Sequence, residues 1–70
     1  MTLQEENDNV ELIANAIQRG EESIVFNASG TQRHVNLPTP QRAGTMTQQR
    51  CYAVDKAREL VEECKQYIND

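Results

Sequence analysis

Residues 41–50 read QRAGTMTQQR, and this short stretch concentrates the groups in the chain best suited to holding an anion. It supplies two guanidinium groups (Arg42 and Arg50), two hydroxyls (Thr45 and Thr47), a glycine (Gly44) and no carboxylate. Thr45-Met46-Thr47-Gln48 has the form of a capping box, so a helix is expected to begin here with free N–H groups and the positive end of its dipole. Helix starts ordinarily collect Asp or Glu in the first turn, whereas Gln48, Gln49 and Arg50 stand in those positions here. The parts match a phosphate or carboxylate cradle: amides donate, Gly44 permits close backbone approach, and the arginines bind bidentately.

Three further side chains are expected to add to this cradle. Tyr52, placed by helical spacing almost opposite the apolar face, is free to stack on a base or anchor a protein contact. Arg33 and His34, from a hairpin earlier in the chain, contribute from the side. The candidate ligand-binding set is therefore Arg33, His34, Arg42, Gly44, Thr45, Thr47, Arg50 and Tyr52. A plainer reading stands beside it, in which the arginines pair with acids of the first helix or of a neighbouring subunit and the threonines only cap. Contacts of that kind are common, and exposed ion pairs contribute about 1 kcal/mol or less.

Charge is segregated along the chain. Glu5, Glu6, Asp8, Glu11, Glu21 and Glu22 lie at one end and Asp55, Glu59, Glu62, Glu63 and Asp70 at the other. Residues 23–54 hold no acid and three arginines, Arg33, Arg42 and Arg50, inside a chain whose net charge is -4. A basic segment enclosed by acidic flanks favours a local anion site over a surface for a long polyanion.

The elements that must position these residues follow from periodicity. Thr2-Leu3-Gln4-Glu5 and Asp8-Asn9-Val10-Glu11 are alternative helix starts. Val10, Ile13, Ala14 and Ile17 then share one face, with Leu3 in line, and Arg19-Gly20 closes the run. The first helix is expected over residues 9–19, with a start near 3 as the alternative; a late start leaves residues 1–8 frayed or disordered.

SIVFNASGTQRHVNL reads as a β-hairpin turning at Ser29-Gly30. That register sets Ile24 opposite Val35, Phe26 opposite Arg33 and Ala28 opposite Thr31. Ile24, Phe26, Val35 and Leu37 then face the core, while Val25, Asn27, His34 and Asn36 face away. Pro38 and Pro40 make residues 38–44 a stiff loop. Beyond it Ala53, Val54, Ala57, Leu60, Val61, Cys64, Tyr67 and Ile68 form the apolar face of a helix of about 23 residues. The fold class is α+β, in the order α-β-β-α, as a single small domain over residues 1–70. A chain of this length buries only about 60% of its unfolded surface, and a lone hairpin is marginal in water, so completion by homo-oligomerisation is expected.

Several function classes lack their parts. Cys51 and Cys64 fall about 220° apart around one helix and about 19 Å along it, too far to be bridged. With one histidine, His34, they match no zinc spacing, so no metal ion or other cofactor is implied. No nucleophile–base pair or glycine-rich fingerprint is present, and catalysis is not expected. No run reaches the roughly 18 apolar residues of a membrane span, and a cytoplasmic location is expected. Double-stranded DNA is disfavoured because the three arginines of the acid-free segment compete with eleven acids and no helix-turn-helix spacing or basic helix is apparent. Two readings remain. The first is a small non-catalytic, homo-oligomeric binding protein that captures a phosphate- or nucleotide-like anion at the start of the second helix. The alternative is an acidic regulator or inhibitor, of the kind phages and bacteria use, that blocks a larger protein through the Glu-rich ends.

Overall fold

Of the two capping signals that compete for the start of the first helix, the earlier one prevails. The computed structural model describes the backbone of residues 1–68 and the side chains of residues 1–65. Its elements are α1 (Leu3–Arg19), β1 (Ser23–Ala28), β2 (Thr31–Asn36) and α2 (Met46–Ile68), an α+β fold in the order α-β-β-α. Thr2 Oγ1 accepts from Glu5 N at 3.1 Å, so residues 3–8 are helical. Asp8 is not a cap; its carboxylate accepts from Gln4 Nε2 one turn back.

The C-terminal end of α1 closes as a Schellman turn. Glu21 N donates to Ala16 O and Gly20 N to Ile17 O, which satisfies two of the carbonyls that α1 leaves without helical partners. The hairpin has the expected register, with Ile24 opposite Val35, Phe26 opposite Arg33 and Ala28 opposite Thr31. Ser29 and Gly30 both take positive φ, 54° and 80°, the two-residue turn whose twist matches that of the flanking strands. Phe26 and Ala28 are buried and Ile24, Val35 and Leu37 half-buried, while Val25, Asn27, His34 and Asn36 are exposed.

The core is a layer of small aliphatic side chains. Ile13, Ala14 and Ile17 of α1 meet Ala53, Ala57, Val61 and Cys64 of α2, and Phe26 and Ala28 of β1 close the layer from the sheet side. Alanines at the helix crossing let the backbones approach closely, so the isoleucines fill the remaining space. One expectation fails at the edge and one is not reached. Leu3, in line with the apolar face by spacing, is 73% exposed, because α2 gives it only an open groove beside Arg58 and Val61. The assignment of Tyr67 and Ile68 to the apolar face of α2 lies outside the described side chains. Among the described residues, no helix is long and apolar enough to cross a membrane.

Polar ties anchor α1 to the hairpin and to α2. Asn9, buried among apolar neighbours, donates from Nδ2 to Asn27 O at 2.9 Å, and Glu5 Oε1 accepts from Ser29 N at 2.8 Å. Lys65 Nζ lies 2.8 Å from Glu6 Oε1, linking α2 back to the first turn of α1. Its hydrogen bonds to Glu6 and then Glu62 raise the Lys65 pKa above the ordinary lysine value. Replacing Asn9 by Ala deprives the Asn27 carbonyl of its partner and is expected to cost about 1 to 2 kcal/mol. Asn7→Ala, at an exposed position of the same helix, is expected to stay within about 0.5 kcal/mol. Denaturant midpoints at unchanged m-value measure both.

Candidate functional site

The start of α2 is capped from within its own sequence, and every group in that cap is neutral. Thr45 Oγ1 accepts from Gln48 N at 3.1 Å, and Gln48 Oε1 accepts from Thr45 N at 2.9 Å, which completes the capping box. A glutamine at the third position satisfies the same donor that a glutamate would, without adding negative charge. Gly44 has φ +89°, and a Cβ there would collide with Gln48 Oε1. The glycine therefore makes room for the cap, which is the close approach that its position had suggested for a ligand. Gln49 Nε2 pins the loop by donating to Arg42 O at 3.1 Å and Gly44 O at 3.2 Å. Among the described residues, the amides of Met46 and Thr47 find no acceptor.

Both arginines reach the far end of α1. Arg42 Nη1 donates to Gln18 O at 3.0 Å, and a Cβ on Gly20 would come within 3.3 Å of Arg42 Nη2. Arg50 Nη1 donates to Asn15 Oδ1 and to Gln18 Oε1, each at 2.7 Å. The carbonyl end of α1 is the negative end of its dipole, so a cation is stabilised there by up to about 1 kcal/mol. This corrects the plainer sequence reading in one respect: the arginines pair with α1, but with neutral oxygens. Among the described residues neither guanidinium forms an ion pair with a carboxylate, whereas Arg19 pairs with Glu21.

A surface depression of about 410 Å³ opens over this start, lined by Gln18, Met46, Thr47, Gln49, Arg50 and Cys51. No carboxylate is among those lining residues. A second, shallower depression continues across Thr47 and Cys51 to Gly44, Gln48, Tyr52 and Asp55, where a carboxylate does intrude. Met46 stands at the rim with 85% of its surface exposed.

The eight sequence candidates do not converge on one place. Arg42, Gly44, Thr45, Thr47 and Arg50 gather around the start of α2. Tyr52 lies beside them but is half-buried, its hydroxyl donating to Thr39 O at 2.9 Å and Lys56 Nζ lying 5.7 Å from its ring centroid. It holds the proline loop to α2, because that loop covers a helix face that spacing alone leaves open. Arg33 is on the inner face of β2, close enough to Cys64 to affect its ionisation. Cys64 is about 19 Å along α2 from Cys51, so Arg33 belongs to the other end of the molecule. His34 is exposed on the outer face of the hairpin.

Asn15 and Gln18, which orient Arg50, were not among the sequence candidates. Their spacing of three on the last turns of α1 is the signal that could have found them, since it puts two side-chain oxygens on one face beside a helix end. Cys51, exposed, lines both depressions, and Cys64 is buried. Burial pushes the Cys64 thiol up, Arg33 pulls it part of the way back, and Glu63 adds to the rise.

No family model matches the chain, and no curated protein and no solved structure is similar to it.

Two measurements check this description. Gly44→Ala is expected to destabilise by about 2 kcal/mol, combining a strained left-handed backbone with a broken cap. In the Gln48→Ala background the same change is expected to cost less, since the clash with Oε1 is gone; thermal unfolding of the four-member cycle reads the coupling. The unfolded chain forms its thiolate at the ordinary value of 9.0, below the folded Cys64 value, so stability is expected to fall as pH rises past it. Cys64→Ala is expected to flatten that slope.

Proposed function

We propose that this protein is a non-catalytic binding protein that captures a phosphate- or nucleotide-like anion at the N-terminal end of α2. The reading is carried by one observation: Arg42 and Arg50 are held in place by neutral oxygens, so their positive charge meets no carboxylate among the described residues. A guanidinium has five N–H donors in a planar fork. Arg50 uses only Nη1 toward α1, which leaves Nε and Nη2 for an incoming oxyanion. The amides of Met46 and Thr47, the Thr47 hydroxyl and the dipole of α2 favour negative charge at the same place.

Asn15 and Gln18 give the arginine a fixed direction, so less side-chain freedom is lost on binding. The depression is open and shallow, which suits one phosphate group held at its wall with the remainder of the ligand in solvent or against a second copy. The cytoplasm, where phosphorylated metabolites are abundant, is the setting that this reading implies.

A second reading, an acidic regulator of a larger protein, has its own support. Leu3 and Val10 lie with Glu6 and Glu62 along a groove between the two helices, an apolar and acidic surface away from Arg42 and Arg50. Binding to a basic partner that weakens with salt but survives Arg50→Gln would favour it over anion capture.

Titration with inorganic phosphate and with nucleoside mono-, di- and triphosphates, followed by amide resonances, tests the first reading. The amides of Met46, Thr47 and Arg50 are expected to move together, and Arg50→Gln is expected to weaken binding about tenfold, the loss of one charge-assisted contact. Unmoved resonances over residues 42–50 at saturating ligand would refute it.

A further inference from the structure

The hairpin leaves one edge open. Leu37 N donates to Glu22 O at 2.8 Å, and the two-residue turn closes Ala28 against Thr31. Hydrogen-bonded pairs alternate in an antiparallel ladder, so Glu22–Leu37, Ile24–Val35, Phe26–Arg33 and Ala28–Thr31 are the bonded ones. The backbone groups of Ser23, Val25 and Asn27 then point outward from β1, and those of Gln32, His34 and Asn36 outward from β2. On the β1 side α1 supplies a partner, since Asn9 Nδ2 bonds Asn27 O. On the β2 side no partner is found among the described residues. Of the usual guards β2 carries one, the inward-facing Arg33; Thr31–Asn36 contains no lysine, proline or acid, and its register runs without a bulge.

We propose that β2 pairs antiparallel with β2 of a second copy of this chain, centred on His34, to make a four-stranded sheet with a two-fold axis. This register pairs all three outward-facing residues, with Gln32 opposite the second copy's Asn36 and His34 opposite its counterpart. On the inner face Arg33 meets Val35 of the other copy. A register centred on Arg33 would oppose two guanidinium groups and is disfavoured.

Charge selects a second copy as the occupant. The groove beside β2 is lined by Asn36, Leu37, Pro38, Lys56, Leu60 and the carboxylates Glu59 and Glu63. Glu59 is paired with Lys56, whereas Glu63 has no ion pair among the described residues. Arg33 is likewise without one, and its Nε is buried with no hydrogen-bond partner. In the two-fold arrangement the Arg33 of each copy lies opposite Val35 of the other and diagonal to its Leu37, at the mouth of that groove. The same surface thus carries both the cation and the carboxylate that the pairing brings together. Half-buried Val35, Leu37 and Leu60 are covered by the same contact.

Sedimentation equilibrium over a concentration range reaching the millimolar, with amide hydrogen exchange on the same samples, tests the proposal. Wild-type protein is expected to reach twice the chain mass, with the Gln32, His34 and Asn36 amides becoming protected as the dimer forms. His34→Pro removes an outward N–H and leaves the hairpin's own ladder intact. His34→Lys sets two ammonium groups opposite each other. Both are expected to be monomeric with unchanged circular dichroism, and His34→Lys decides the matter if the proline variant fails to fold. Glu63→Arg is expected to weaken association at least about tenfold. A wild-type monomer at millimolar concentration overturns the proposal, including the case where the edge binds only a foreign strand. A dimer that persists in His34→Lys, or one whose three outward amides stay unprotected, overturns it as well.

Discussion

Two helix ends of opposite polarity lie side by side, and two arginines join them. The carbonyl end of α1 carries partial negative charge and the amide end of α2 partial positive charge. Arg42 and Arg50 originate at the positive end and reach across to Gln18 and Asn15 at the negative one. This clasp fixes where the proline loop leaves the hairpin and where α2 begins. It also explains why the first turn of α2 holds no acid: a carboxylate there would compete with Gln18 and Asn15 for the same guanidinium groups. The clasp stabilises α1 and leaves the start of α2 electrostatically unbalanced, which is the basis of the proposed anion site.

The core beneath the clasp is thin. Ile13 and Ile17 are its largest fully buried side chains besides Val61, and the remaining buried positions are mostly alanine. Small domains of this kind keep only a few kcal/mol of net stability, so single polar ties such as Asn9 to Asn27 and Lys65 to Glu6 matter more than they would in a larger protein. The same shortage of core leaves Leu3, Val25 and Met46 exposed, because no element remains to cover them.

Much of the architecture was legible from local pattern. The hairpin register followed once Ser29-Gly30 was taken as the turn, because a slip of one residue turns Ile24, Phe26 and Val35 away from the core. The length and face of α2 followed from Ala53, Ala57, Val61 and Cys64 at spacings of four, four and three. The start of α1 was ambiguous because Thr2 and Asp8 offer comparable caps; Glu5 and Asn9 decide it by reaching Ser29 and Asn27, contacts between residues 18 or more apart. The site was less legible for the same reason. Gly44 and Gln48 serve each other, Tyr52 serves the loop through Thr39, and Arg33 lies at the opposite end of α2 from Arg50. Composition identified the acid-free segment, but side-chain direction depends on tertiary neighbours that spacing does not encode.

The most direct measurement follows the Arg50 side chain itself, through its Nε–Hε resonance, as inorganic phosphate is added. Capture of an anion by a guanidinium held from behind by Asn15 and Gln18 is expected to shift that resonance saturably and slow its exchange with water, with Arg19 unaffected. An Arg50 signal that stays in place, or that moves only in step with Arg19 as ionic strength rises, would contradict anion capture at the start of α2.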